Sequence, residues 1–208
     1  MDETRIYHIT HVDNLPGILS AGALLPKTRA SDGYQRVNSA HVSIQATRSV
    51  FRVPVGPGGT LHDYVPFHFG PRSPMLGSIH TGRVVGSDGK QANMVYLVST
   101  AQKVAAAGLP FVFTDGHAAM HMTEYFVDLT DLSRLDHAAI AAHYWFNTLE
   151  DPDRKRRKQA EFLVHGAVPL SVIMGVAVMN EEMHERVEAV LQGNGCTLPL
   201  KVWPAGYY

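Results

Sequence analysis

An amide and a carboxylate stand two residues apart, as Gln159 and Glu161, just before an uninterrupted apolar run. Residues i and i+2 of a β-strand project from the same face, so these two side chains are predicted to point together. A carboxylate at the mouth of a buried strand raises the free energy of the fold unless it is paired or used. Two interpretations follow: a strand-edge glutamate held by a nearby cation, or an acid that does chemistry.

Five consecutive cations, residues 154–158, immediately precede this pair. Such a run can hold the backbone of an anionic polymer beside the carboxylate, or it can form an ordinary solvated face. A few residues upstream lie three aromatic residues, Tyr144, Trp145 and Phe146. Because cations and aromatic rings together can hold a single-stranded polyanion, neutralising Arg154, Arg156 and Arg157 is expected to weaken its binding and flatten the salt dependence of that binding.

The twelve histidines raise the question of a metal site. His117 and His121 have the i, i+4 spacing that would place two imidazoles on one helical face. The general-base glutamate of the zinc-protease pattern is missing between them and no third ligand follows from spacing, so we expect no metal. His8 lies in an apolar first strand with Thr10 on the same face, as either a satisfied core histidine or a ligand contact.

Length and composition limit the possible architectures. The 208 residues, 45% of them hydrophobic and 18% charged, can bury one full core, which predicts one domain or one domain with a long insertion. The net charge of −1 means that any nucleic-acid binding must come from a local patch. A single cysteine excludes an internal disulfide, and the sequence shows neither a signal-peptide pattern nor 18 consecutive apolar residues. We therefore expect a cytoplasmic protein with no membrane partner.

The hydrophobic pattern predicts many short strands and few helices. Strands are predicted at residues 6–10, 64–69, 94–98, 111–114, 161–164, 171–179 and 198–203. Pro66 favours an edge position for the second of these strands. Short helices are predicted after Asn14, ending at Gly22, and from Asn180 to Leu191, with loops at 26–38 and 70–90. Because helices do not regularly separate the strands, the pattern predicts an α+β fold rather than a doubly wound parallel sheet.

Three motifs resemble one known family when they are taken together and in order. They are HITH at residues 8–11, PFHFGPRSPML at residues 66–76, and RKQAEFLV at residues 157–164. The combination is similar to the DarT family, the DNA ADP-ribosyltransferase toxins of bacterial toxin–antitoxin pairs. No single motif is long enough to carry the resemblance alone.

The resemblance implies an ADP-ribosyltransferase fold with split central β-sheets, flanking helices and a long loop insertion, over residues 1–208 as a single domain. It implies that NAD binds in the cleft and is consumed as a co-substrate without a metal. The expected reaction is transfer of ADP-ribose to thymidine bases of single-stranded DNA, with release of nicotinamide. The expected partners are single-stranded DNA and a macrodomain antitoxin that reverses the modification.

The resemblance also assigns roles to individual residues. Glu161 matches the catalytic glutamate and Arg52 the strand-borne catalytic arginine. The expected NAD contacts are His8, Ile9, Thr10, Gly17, Leu25 and Arg52. With the cations and aromatic residues upstream, the expected acceptor contacts are Gln159, Arg154, Arg156, Arg157, Tyr144 and Trp145. The middle member of the three-residue signature of many ADP-ribosyltransferases, and so the group that stacks on nicotinamide, is left open.

The expected chemistry suits these residue types. Cleavage of the bond between nicotinamide and ribose builds positive charge on the sugar, which a carboxylate such as Glu161 stabilises. Arg52 would stabilise the thymine ring as N3 loses its proton, because a guanidinium with a pKa above about 12 is a poor base.

Three other functions stay open at this level. The same fold could modify RNA or protein, or the chain could be a non-catalytic module that binds single-stranded nucleic acid. A metal hydrolase is the third alternative and would lose its activity to a chelator.

Overall fold

A mixed sheet of eight strands forms the centre of the structure, a computed structural model that describes residues 3–31, 33–34, 37, 42–82 and 91–208. The strands are β1 (Arg5–His11), β2 (Ala23–Leu24), β3 (Tyr64–His68), β4 (Met94–Thr100), β5 (Phe111–Thr114), β6 (Tyr125–Phe126), β7 (Glu161–His165), β8 (Val168–Pro169), β9 (Gly175–Val178) and β10 (Leu200–Val202). The helices are α1 (Leu15–Ala21), α2 (Val42–Val50), α3 (Pro74–His80), α4 (Ala101–Ala106), α5 (His137–Ala141), α6 (Arg154–Arg157) and α7 (Glu181–Gly193). The strand order is β10-β9-β4-β1-β3-β7-β5-β6, and β2 pairs with β8 in a small second sheet.

The large sheet divides between β1 and β3. β1 pairs with β4 along its whole length, from Arg5↔Thr100 to His11↔Met94, whereas the described strands β1 and β3 share one register pair, Tyr7↔His68. Beyond that pair the two half-sheets diverge and leave a gap in the middle of the fold. The split, helix-flanked α+β architecture predicted from the sequence is confirmed.

The prediction that β3 is an edge strand is wrong, because β3 lies between β1 and β7. The carbonyl oxygen of Pro66 accepts a hydrogen bond from Nδ1 of His8 at 2.8 Å, so it points toward β1. The N and C=O groups of one strand residue point to the same side, and the missing N–H of Pro66 therefore faces the gap. The ladder to β7 loses no hydrogen bond, which explains how an internal strand holds a proline.

Aromatic side chains fill the core beneath strands β3, β7 and β5. Phe67, Phe113 and Phe162 are fully buried on neighbouring strands, and Phe111 stacks on Phe162 at 4.9 Å. Burial of these large side chains holds β3, β5 and β7 in register and fixes the start of β7, where the acidic residue lies.

The helices at both ends of the chain agree with the sequence analysis. α1 ends at Gly22, whose φ of 64° is left-handed, and Asn180 caps α7 by accepting a hydrogen bond from the Met183 amide at 3.0 Å. The predicted strand at 171–179 is shorter than expected: a 3₁₀ turn, Leu170–Val172, precedes β9.

Both predicted loops lie partly outside the described residues. The described part of the 70–90 loop contains α3, which the Gly- and Pro-rich composition concealed. Its start has the expected signals, because Ser73 accepts a hydrogen bond from the Leu76 amide at 3.3 Å and Pro74 occupies the first helical position. The long connection between β6 and β7 carries the short helices α5 and α6.

Candidate active site

A cavity of about 460 Å³ occupies the gap between the half-sheets. This cleft is lined by His8, Ile9 and Thr10 from β1, Tyr64, Pro66 and His68 from β3, Ile44, Gln45 and Arg48 from α2, and Glu161 from β7. Its two side walls are formed by Asn14, Leu25, Lys27 and Tyr34, and by Trp145, Phe146, Lys155 and Gln159. Its size and its mixture of apolar and polar groups are typical of a site for a small molecule or cofactor.

Among the described residues that line the cleft, Glu161 is the one acid, and 3% of the residue is exposed. Nη1 of Arg48 donates to both carboxylate oxygens, at 3.1 and 2.9 Å. The backbone N–H of Ala118 donates to Oε1 at 3.0 Å, and the N–H of Glu161 itself donates to Oγ1 of Thr114 at 3.1 Å. The carboxylate is thus held from two directions, by a cation and by a peptide dipole.

These contacts keep Glu161 ionised despite its burial. Burial alone acts to raise the pKa of the carboxyl, but the Arg48 guanidinium, together with His117, His68 and the Ala118 amide, outweighs burial. The pKa of Glu161 therefore lies below its ordinary value. The cleft therefore presents a negative carboxylate at neutral pH.

Three histidines in the cleft stay neutral at neutral pH. Burial lowers the pKa of His8 and of His117, and it lowers the pKa of His68 to about 4. Since the Pro66 carbonyl can only accept, Nδ1 of His8 carries the proton and Nε2 is left as an acceptor. His68 is the cross-strand register partner of Glu161.

Two polar atoms at this end of the cleft have no hydrogen-bond partner among the described residues. They are Nη2 of Arg48 and Nδ1 of His68, both buried. Buried polar atoms are normally satisfied, so an unsatisfied pair beside a cavity indicates groups that a ligand completes. Both atoms belong to side chains that line the cleft.

The structure does not bring Arg52 to Glu161, contrary to the role that the sequence assigned to this arginine. Arg52 is exposed, lies beyond the end of α2 and pairs through its backbone with Thr60. Arg48, one helical turn earlier, meets Glu161 instead. The spacing of Ile44, Gln45 and Arg48, which puts them on one face of a helix, is the signal that could have identified Arg48.

Most of the five-cation run is bound inside the protein. Arg154 pairs with Asp151 at 2.9 Å, Arg157 pairs with Asp136 and Asp151, and Arg156 is buried. The ammonium group of Lys158 donates to the carbonyls of Ile140, Ala142 and Pro71. Burial, and to a smaller extent the nearby charge of Arg72, lowers the pKa of Lys158 to about 8. Of the run, Lys155 is the exposed member that lines the cleft.

The aromatic residues upstream divide between the cleft wall and the surface. Trp145 is buried in the wall, stacks on Phe146 at 4.5 Å and donates from Nε1 to the hydroxyl of Tyr208 at 2.6 Å. Tyr144 is 75% exposed and does not line the cleft. Gln159 does line it, on the same wall as Lys155.

The opposite wall contains the other expected NAD contacts. Thr10 accepts a hydrogen bond from Nδ2 of Asn14 at 3.0 Å, and Leu25 donates from its amide to the hydroxyl of Tyr34 at 2.7 Å. Gly17 does not line the cleft. A Cβ at this position would lie 2.3 Å from the carbonyl oxygen of Tyr34, so Gly17 permits the close approach that places Tyr34 in the wall.

The histidine spacing that suggested a metal does not form a helical face. His117 and His121 lie in consecutive turns rather than in a helix. Within the described ranges no group of three or more His, Cys, Asp or Glu side chains is placed to hold a metal ion. No helix among the described residues is long and apolar enough to cross a membrane.

The split mixed sheet flanked by helices is that of the ADP-ribosyltransferase fold. A family model described as "ssDNA thymidine ADP-ribosyltransferase, DarT" matches residues 7–208. The chain belongs to the DarT family, and the resemblance seen in its motifs is confirmed.

Individual relatives agree with this membership over nearly the full chain. The DNA ADP-ribosyl transferase of Thermus aquaticus is 48% identical over 188 residues, which cover 90% of this chain and 81% of the relative. That of Thermus sp. (strain 2.9) is 45% identical over 191 residues, which cover 92% and 88% of the two chains. The structure of Thermus sp. 2.9 DarT in complex with ADP-ribosylated ssDNA has a TM-score of 0.93 at 41% identity, covering 99% of this chain and 97% of that chain. The structure of the same protein in complex with NAD+ gives 0.90 at 40% identity, covering 100% and 99%.

Proposed function

We propose that this chain transfers ADP-ribose from NAD to thymidine bases in single-stranded DNA and releases nicotinamide. The observation that carries the proposal is the buried, ionised Glu161 paired with Arg48 at the end of a cleft large enough for a cofactor. The description of the family names the same activity. A Thermus relative has been solved with NAD+ and with ADP-ribosylated ssDNA, which supports both substrates.

Glu161 acts on the bond that breaks. As the bond between ribose C1′ and the pyridinium nitrogen opens, its electron pair goes to the nitrogen, and neutral nicotinamide leaves a positively charged sugar. A fixed carboxylate beside that sugar stabilises the transition state more than the ground state. The burial of Glu161 strengthens this interaction because little water screens it.

Arg48 acts on the bond that forms. N3 of thymine attacks C1′ and its proton passes to water, so negative charge develops on the neighbouring ring oxygens until the new bond between N3 and C1′ is complete. The unsatisfied Nη2 of Arg48 is available to donate to such an oxygen. A guanidinium does not give up its own proton at neutral pH, so Arg48 is assigned charge stabilisation, the role that the sequence gave to Arg52.

The NAD site is assigned to the wall that contains β1. Nε2 of His8 can accept a hydrogen bond from a ribose hydroxyl, while Thr10, Leu25 and Tyr34 enclose the rest of the NAD molecule. His68 shares a face of the sheet with Glu161, and we assign its neutral ring to the nicotinamide end. With this assignment, His68 is our candidate for the group that stacks on nicotinamide, which the sequence left open.

The acceptor site is assigned to the facing wall, with Lys155 for a phosphate, Gln159 for a base edge and Trp145 for stacking. Tyr144 extends this wall at the surface. Arg154 and Arg157 are left outside the contact because aspartates already bind their guanidinium groups. Single-stranded DNA presents an unstacked base at the least free-energy cost, which fits this open wall.

The biological setting is also a proposal. Modification of DNA bases harms the cell that makes the enzyme, so the resemblance to toxins implies a macrodomain antitoxin that removes ADP-ribose. Both substrates are found in the cytoplasm, where we place the protein. Because one sheet unites strands from β1 to β10, we assign residues 1–208 to a single domain.

Incubation of the protein with labelled NAD and each polymer separately tests the activity. We expect label on thymidine-containing single-stranded DNA, with one nicotinamide released per label and no sensitivity to chelator. Label on RNA or protein alone would favour the alternative acceptors. DNA binding without nicotinamide release would identify a binding module, and loss of activity to chelator would point to a metal hydrolase.

A further inference from the structure

A buried ion-pair cluster centred on Arg156 lies behind the cleft. The Arg156 side chain is 8% exposed, and its Nη1 donates to Oδ1 of Asp115 at 2.8 Å. On the other side, Nε and Nη2 donate to Asp153 at 2.9 and 2.7 Å. An arginine held by two carboxylates in this way cannot reach a DNA phosphate. The DNA contact expected from the sequence therefore does not explain why Arg156 is present.

Arg156 holds the turn formed by residues 115–118. Besides the ion pair with Asp115, the backbone carbonyl of Arg156 accepts a hydrogen bond from the His117 amide at 3.1 Å. A Cβ on Gly116 would lie 2.5 Å from Nη1 of Arg156, so the turn packs directly against the guanidinium. The turn is therefore fixed to α6 through charge, hydrogen bonding and close packing.

The same turn supplies the peptide N–H that holds the catalytic acid. Ala118 donates from its backbone to Oε1 of Glu161 at 3.0 Å, and the ring of His117 lines the cleft. The far end of the turn is secured by Tyr125, whose hydroxyl donates to the Ala118 carbonyl at 2.5 Å. A shift of the turn would move this N–H away from the carboxylate.

We propose that Arg156 and Asp115 are positioning residues, whose ion pair holds the 115–118 turn so that the Ala118 amide keeps the Glu161 carboxylate aimed into the cleft. Neither side chain touches substrate. The proposal rests on the proposed function and deepens it, because it assigns a role in the reaction to Arg156, a member of the cation run that does not contact DNA.

A pH profile distinguishes this role from a general loss of stability. Glu161 is faced by Arg48 from α2, His68 from β3, His117 from the turn and Tyr125 from β6. The Ala118 hydrogen bond lowers the pKa of Glu161, so weakening it raises that pKa while the other groups stay in place. The acid limb of kcat then moves to higher pH.

The main variant is Arg156→Lys, which keeps the positive charge but replaces the planar fork that joins Asp115 and Asp153. We expect kcat to fall about 10- to 100-fold, with KM for DNA and for NAD unchanged and the acid limb moved to higher pH. The matched control is Arg186→Lys, which alters an exposed arginine paired with Asp13 and is expected to behave like the wild type. A folded Arg156→Lys protein with wild-type kcat and an unmoved acid limb would overturn the proposal.

A second variant, Asp115→Asn, keeps the shape of the side chain and removes its charge. Direct electrostatics alone would lower the pKa of Glu161, because Arg156 would then lack one of its negative partners. The loosened turn predicts the opposite shift, toward higher pH. A downward shift with unchanged kcat would therefore contradict the proposal even if Arg156→Lys failed to fold.

Titration of the Glu161 carboxyl by carbon NMR in the protein without substrates gives a readout that needs no turnover. The midpoint is expected at higher pH in Arg156→Lys and Asp115→Asn than in the wild type. If the wild-type protein transferred no ADP-ribose, the proposed function would fail while this titration still decided the positioning role. Identical midpoints in all three proteins would reject the positioning role alone.

Discussion

Nη1 of Arg48 lies 3.1 and 2.9 Å from the two carboxylate oxygens of Glu161, although 113 residues separate them in the chain. Both side chains are largely buried, so little water competes for either charge. Removal of one member of a buried pair leaves an uncompensated charge, whereas an intact pair holds both groups in one geometry. The contact places an anion and a cation side by side in the cleft, where the proposed mechanism needs both.

Replacing Glu161 by glutamine tests the carboxylate without removing its shape. The amide oxygen can still accept from Arg48 and Ala118, so the fold is expected to persist, with a lower free energy of unfolding because the buried Arg48 charge loses its partner. Loss of the negative charge beside the developing sugar cation is expected to lower kcat on the order of 10² to 10³-fold. Nicotinamide release gives the rate, and circular dichroism checks the fold; wild-type rates in a folded variant would remove Glu161 from the mechanism.

Arg48→Lys and Arg52→Lys form a matched pair of substitutions. Arg48→Lys keeps the charge but loses Nη2, the nitrogen proposed to donate to the acceptor base, so the rate of transfer is expected to fall at least tenfold. Arg52→Lys changes an exposed side chain outside the cleft and is expected to leave transfer near the wild-type rate. The reverse ranking would restore the assignment made from the sequence.

The cleft histidines predict that stability falls at acid pH. The pKa values of His8, His68 and His117 lie below 6.5 in the folded protein, so the unfolded state binds more protons. The free energy of unfolding is therefore expected to decrease as pH falls from about 6.5 toward about 4, the value for His68. Glu161, whose pKa is also lowered, adds a loss in the same direction at the acid end of this window.

Urea unfolding at several pH values measures this dependence, and His68→Phe should make it less steep. A free energy of unfolding that does not change between neutral pH and pH 5 would show that the histidines are not held neutral.

Lys155 is expected to carry a phosphate contact that its neighbours in the run do not. Lys155→Gln should weaken binding of a single-stranded oligonucleotide and reduce the slope of log K against log salt by about 0.7, as for one lost phosphate contact. The control Lys103→Gln removes the same charge from α4, away from the cleft. Fluorescence anisotropy at several salt concentrations measures the slope. Equal slopes for both variants would show that the DNA does not bind along the wall that contains Lys155.

Local patterns were sufficient to predict the parts of the fold that depend on local chemistry. The apolar run after Glu161 is strand β7, the alternating residues around His8 are β1, and the Asn180 cap begins α7. In each case the element is marked by the hydrophobic period of its own residues or by a hydrogen bond within a few positions, so the local sequence is enough to predict it.

Contacts between distant residues could not be predicted in the same way. The pair of Arg156 with Asp115 spans 41 residues, and nothing in the cation run shows that its charges are neutralised inside the protein. Which of Arg48 and Arg52 meets Glu161 could not be read locally, because the contact joins residues 113 positions apart. Pro66 was misread because the split that accommodates it is a property of the sheet and not of the strand.

Mass spectrometry of an oligonucleotide that holds one thymidine, after incubation with NAD, tests the central claim most directly. We expect the wild-type protein to add one ADP-ribose to the thymine base, Glu161→Gln to add almost none, and an N3-methylthymidine oligonucleotide to stay unmodified. A folded, NAD-binding wild-type protein that leaves the thymidine unmodified, or that modifies the N3-methyl oligonucleotide equally well, would contradict the account.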